Sequence, residues 1–330
     1  MKNGPGRFTF YLQKITELMN NAREQKDPAM WLFSNNARTP FFMLESLAKI
    51  YEEILNSKKI GKQKEHFKLV EDFLGQIDYY NSLSLAFADN NKIPADCKEY
   101  FKREINKVAA KTNEMLLEKG WLSADNRRII KITSKLKEAD WLKPGKEVEA
   151  ICNFYKKSID SICRFAAKTG YRFDNVEEDV HELRRKLRWL SIYPQALQGA
   201  VQYAPETRAA GHLGKYLTDE IINSPFNRLP AAGINNYFLL LNKNCFLALS
   251  WMIAELGKLK DEGLLLTGLS ESIEKGTASG DGGSLDKVCA LPGGKQRPMK
   301  EILADASSIS KTYFEEKNLV HLVAGIAGPV

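Results

Sequence analysis

Residues Asp179–Tyr193 read DVHELRRKLRWLSIY. Wound at about 100° per residue, this segment becomes a two-faced helix. With His181 at zero, Arg184 falls at about −60°, Arg188 at about −20° and Arg185 at about +40°. Leu183, Leu187, Leu190 and Leu197 lie opposite, placed to meet a core. Lys186 and Trp189 flank the two faces. An apolar stripe of this period belongs to a packed helix and not to a strand.

The same period recurs along the chain. Phe8, Tyr11, Leu12, Ile15, Leu18 and Met19 predict a helix over Arg7–Gln25. Pro40, suited to a first helical turn, opens a second with Phe41, Leu44, Leu47, Ala48 and Tyr51 on one face. Further helices are expected over roughly Lys64–Ala88, Pro94–Gly120, Ala124–Ala139, Lys146–Thr169, Asn235–Lys260 and Pro298–Lys317. Asn175, with Glu178 three residues on, has the form of a capping box and starts the basic helix at Val176. Pro194 should bend that helix, which should end by Pro205. No βαβ alternation or strand series emerges. The expectation is an all-α chain of two consecutive antiparallel four-helix bundles, residues 1–143 and 144–330, split near Trp141–Glu147.

The chain has 330 residues, 44% hydrophobic and 27% charged, with a net charge of +7. That is ordinary for a globular protein, and the basic excess permits a polyanionic partner without demanding one. The five cysteines form no C-x-x-C pair and read as reduced thiols of a cytoplasmic protein. The opening MKNGPGRFTFYLQ has no apolar signal-like core. The most apolar stretch, Tyr237–Leu256, is interrupted by Asn242, Lys243 and Asn244. Neither a secretory signal nor a membrane span is expected.

Two readings of the basic helix compete. Guanidinium forks on a rigid support match phosphate oxygens, and His181 could add a hydrogen bond. Alternatively the face is solvated, because Glu178 and Glu182 are followed by Arg185 and Lys186, with Glu182 at i,i+3 and i,i+4 spacing for ordinary pairing. Arg128, Lys131 and Lys135 share one side of the short helix before the break and could join the first surface.

The stretch HELRRKLRWL resembles the signature of the conserved-histidine α-helical domain, the CHAD family. His181, Arg184 and Arg188 fall on the positions of that signature. The resemblance implies two four-helix bundles related by a pseudo-twofold, and binding of inorganic polyphosphate through basic residues of both. The first-bundle counterpart, Ala37–Leu55, departs from the pattern. It keeps Arg38 and Lys49, lacks a histidine, and carries Glu45, Glu52 and Glu53. Half of the anion surface is therefore expected to be lost.

Other chemistry has less support. His66, His212 and His321 are isolated, and no H-E-x-x-H or G-x-S-x-G motif occurs. The stretch Lys275–Lys295 contains six glycines, but lacks the spacing of a phosphate-binding loop and reads as a connector. The chain is read as a non-enzymatic binding protein without cofactor or metal. Its polyanion contacts are His181, Arg184, Arg185 and Arg188, with Arg128, Lys131 and Lys135 as outlying members. Inorganic polyphosphate ranks first as ligand. A protein-interaction scaffold, or nucleic acid stacked on Trp189 and Tyr193, is the alternative.

Overall fold

A computed structural model describes residues 2–205, 211–276 and 297–329. Most of them are helical. Pro5 in the first turn opens α1 (Gly4–Arg23), which buries Phe8, Ile15 and Met19. A short α2 (Pro28–Ser34), not anticipated from the apolar period, is started by Asp27. The Asp27 carboxylate accepts from the Met30 amide at 3.2 Å and from Asn113 Nδ2 at 2.9 Å. Then follow α3 (Arg38–Ile54), α4 (Lys58–Phe87), α5 (Ala95–Glu118), α6 (Arg127–Lys137) and α7 (Pro144–Lys168). The basic helix is α8 (Glu182–Ala196). After it come α9 (Asp219–Asn223), α10 (Lys243–Gly276) and α11 (Met299–Glu315).

Two helices organise the packing. α3 lies against α1, α4, α7 and α8, and α10 lies against α4, α5, α8 and α11. One continuous apolar core follows, from Phe8 and Phe41 through Leu187 and Leu190 to Phe246 and Tyr313. No helix among the described residues is long and apolar enough to cross a membrane.

The purely helical expectation needs one correction. β1 (Val201–Tyr203) runs parallel to β2 (Phe238–Leu241), and β3 (Val323–Ala327) pairs antiparallel with the other edge of β2. Val201 faces Leu239, and Phe238 faces Ala327. The sheet packs on α7. From sequence the run FLLL reads as part of the opening of the Asn235 helix, since a four-residue apolar run carries no period of its own. The tertiary ladder decides it, and α10 begins only at Lys243.

The stretch where the sequence splits is bridged by buried charge. Glu147 on α7 accepts from the Tyr51 hydroxyl at 2.7 Å and pairs with Arg7 of α1 at 3.0 Å. Arg7 also donates to Tyr51 and, at 3.3 Å, to Asn235 Oδ1. All three charged or phenolic side chains are buried, under Trp141. Burial holds the Tyr51 phenol far above its usual range.

The start of the basic helix also differs from expectation. Asn175 Oδ1 accepts from the amides of Glu177 and Glu178 at 2.8 and 3.1 Å, as a cap should. In the return bond the Asn175 amide donates to Asp179 Oδ2 at 2.9 Å, in place of Glu178. Residues Val176–His181 form a π turn before α8. The glycine-rich stretch, apart from Lys275 and Gly276 at the end of α10, lies almost wholly outside the described residues.

Candidate functional site

The apolar side of α8 is where its period places it: Leu183, Leu187 and Leu190 are buried. The charged side divides into two groups. His181 bonds through Nδ1 to Glu177, and that bond holds the Glu177 carboxyl below its usual range. Arg185 reaches Glu182 at 2.6 Å, and Lys186 reaches the same carboxylate at 3.0 Å. These three side chains are paired on their own helix.

Arg184 and Arg188 are not. Arg184 Nε donates to the Ile253 carbonyl of α10 at 3.2 Å, and its guanidinium lies over Gly257. A Cβ at Gly257 would stand 3.0 Å from Arg184 Nε. Arg188 lies with its guanidinium carbon 4.9 Å from the centroid of Phe42 on α3. It is accessible to solvent yet crowded by protein. Burial first, then Arg184 and Arg38, lower its pKa to about 10.

The α3–α8 crossing brings in residues that the sequence had set aside. Lys49 Nζ sits 4.3 Å above the Trp189 ring. Burial lowers Lys49 to about 8, against the attraction of Glu45 and with added repulsion from Arg185, Lys64 and Lys186. Glu45, one turn earlier, is buried and raised to about 7 by burial and then by Glu71. Arg38 is neutralised by Glu71 at 2.7 Å and Asp78 at 3.0 Å. Lys64 pairs with Glu52 at 2.6 Å, and Lys68 with Asp72 at 2.6 Å. Among the described residues, the cations of this face with no carboxylate at pairing distance are Lys49, Arg184 and Arg188. Trp189 and Tyr193 are buried and stack on each other at 5.9 Å, so neither ring is an open platform for a base.

The α6 residues lie elsewhere. Arg128 donates to the Lys119 carbonyl at 2.7 Å and bonds His66 Nε2 at 3.2 Å. Lys135 pairs with Glu138 at 2.8 Å. At about 100° per residue, His66 falls on the side of α4 away from Lys64, Lys68, Glu71 and Gly75, which face α3 and its surroundings. The residues named from sequence therefore form two separate groups.

One signal in the sequence marks the crossing. Leu74-Gly75 on α4 and Leu256-Gly257 on α10 are matching pairs. Gly75 leaves room for Arg38, whose Nη2 would lie 2.9 Å from an added Cβ, as Gly257 does for Arg184. No family model, curated protein or solved structure matches the chain.

Proposed function

We propose that the protein binds a phosphate-rich polyanion, with inorganic polyphosphate as the preferred ligand, on the face where α3 crosses α8. The observation that carries this reading is the trio Lys49, Arg184 and Arg188. Lys49 on α3 and Arg184 and Arg188 on α8 are each turned to a ring or a carbonyl in place of a carboxylate. Carboxylates act on them only from beyond ion-pair distance, Glu45 on Lys49, Asp261 on Arg184, and Glu71 and Asp78 on Arg188; cations crowded by protein without a paired carboxylate are costly, and a bound anion relieves that cost. Arg185 and His181, held by Glu182 and Glu177, stand at the edge as secondary contacts.

The two-bundle architecture belongs to the same reading. Helices α1, α3, α4 and α5 pack in succession, and so do α7, α8, α10 and α11. The pairs α3–α8 and α4–α10 then lie at a pseudo-twofold, and the two leucine-glycine pairs become equivalent. The surface is mixed in charge because Glu45, Glu52 and Glu71 belong to the first half. This favours a ligand of high charge density over a single phosphate. The reading keeps the protein cytoplasmic and non-enzymatic.

A protein-interaction scaffold is the second reading, favoured by Phe226 and Ile234, which are 81% and 80% exposed. A salt titration of binding to long-chain polyphosphate, beside single-stranded DNA of equal charge, decides between them. Polyphosphate binding that weakens steeply with salt and exceeds the DNA control supports the proposal. No binding at low salt refutes it.

A further inference from the structure

The cations of α6 meet a different partner. Three elements converge on His66: its own helix α4, the C-terminal end of α5, and the first turns of α6. Arg128 joins them, donating through Nε to the Lys119 carbonyl at 2.7 Å and through Nη1 to His66 Nε2 at 3.2 Å. A guanidinium only donates, so His66 Nε2 accepts and the imidazole is neutral, with its proton on Nδ1. Burial and the charges of Arg128, Lys131 and Lys119 lower the His66 pKa, while Glu65 opposes them. Among the described residues, no ion pair engages Lys119, Arg128 or Lys131. Lys59 and Lys135 close by both pair with Glu138.

We infer that His66, Lys119, Arg128 and Lys131 form a second anion site, separate from the α3–α8 face, that takes phosphate groups of a phosphoanhydride chain. The choice of phosphate as ligand class rests on the reading of the α3–α8 face; the separateness of this corner does not. α6 contains no aromatic residue, and Phe67 and Trp121 beside it are buried. The corner thus offers charge and N–H donors without a surface on which bases stack. A bound phosphate supplies the missing negative charge. It favours the imidazolium, which releases Arg128 Nη1 and turns both groups into donors toward the anion. Binding is therefore coupled to proton uptake at His66.

The test follows the His66 imidazole by NMR titration, assigned with His66→Gln, with and without tripolyphosphate. The expected result is a titration midpoint raised by about one pH unit or more, the size of shift that a nearby opposite charge produces. The shift should persist in Arg184→Ala/Arg188→Ala and shrink in Lys131→Glu, an exposed change that removes no hydrogen bond described here. If tripolyphosphate leaves the wild-type midpoint unmoved, the site does not exist. A shift that disappears in Arg184→Ala/Arg188→Ala would show that the corner is not independent. A shift produced by an oligonucleotide but not by tripolyphosphate would overturn the ligand class. Polyphosphate binding at the α3–α8 face is read separately, from the calorimetric affinity lost in Arg184→Ala/Arg188→Ala, so failure of one site is distinguishable from failure of the other.

Discussion

Phe42 of α3 and Trp189 of α8 stack face to face, with centroids 4.5 Å apart and planes 16° from parallel. Arg188 lies against Phe42 and Lys49 against Trp189, so a cation adjoins each ring of the pair. The stack fixes how α3 crosses α8 and sets the spacing of the two cations. Trp189→Ala should destabilise the fold by about 3–5 kcal/mol, the usual cost of emptying a buried aromatic position. Trp189→Phe should cost less and leave polyanion binding largely intact. Urea unfolding of both variants checks this.

Lys49 gives binding a pH dependence. With its pKa lowered to about 8, the folded lysine loses its proton while an unfolded one keeps it. Folding stability attributable to Lys49 therefore rises with pH from about 8 to the usual lysine value. Anion affinity moves the other way. It should fall as pH rises through 8, and Lys49→Met should flatten that part of the profile. A binding isotherm at pH 7 and pH 9 for each protein is sufficient.

Glu45 has the opposite sign. Its pKa is raised to about 7, so the folded state holds a proton that the unfolded chain has released. Stability from this group is present at low pH and is lost as pH rises toward 7. Glu45→Gln should stabilise the protein at pH 8 by up to about 3 kcal/mol, with the gain vanishing near pH 4.

The buried Arg7–Glu147 pair ties α1 to α7 through Tyr51. Glu147→Ala leaves Arg7 uncompensated and should cost about 3–5 kcal/mol. The double change Arg7→Met/Glu147→Leu should cost less than the two single changes added together. Chemical denaturation of the three variants tests the coupling.

Most helices were legible because each carries an apolar stripe long enough to show its period, as Phe8–Met19 and Leu183–Leu190 do. The strands were not, for Val201–Tyr203 and Phe238–Leu241 are too short to display alternation, and only their pairing makes them strands. The break in helix near Trp141 was legible, but not the Glu147 contact that spans it. On the basic helix, the wheel separated core from surface correctly. It could not show which cations have partners: Arg185 and His181 meet carboxylates, whereas Arg184 and Arg188 meet a carbonyl and a ring. Lys49 was visible only as a remnant beside acidic residues, since its place over Trp189 depends on the crossing of two helices distant in sequence. Convergence of α6 with α8 was an open question in the sequence, and the wheel of α4 answers it by placing His66 away from α3.

Gly257 provides a finer test of the same crossing. An alanine there favours the helix by about 1 kcal/mol, but its methyl would stand against Arg184 Nε. Gly257→Ala should leave thermal stability near or above wild type while weakening polyanion binding several-fold.

The most direct measurement compares wild type with Arg184→Ala/Arg188→Ala by isothermal calorimetry against long-chain polyphosphate at low salt, with circular dichroism confirming equal helix content. A loss of ten-fold or more in affinity with the fold intact is the result predicted here. Equal affinity in the two proteins would contradict the assignment of the α3–α8 face as the ligand surface.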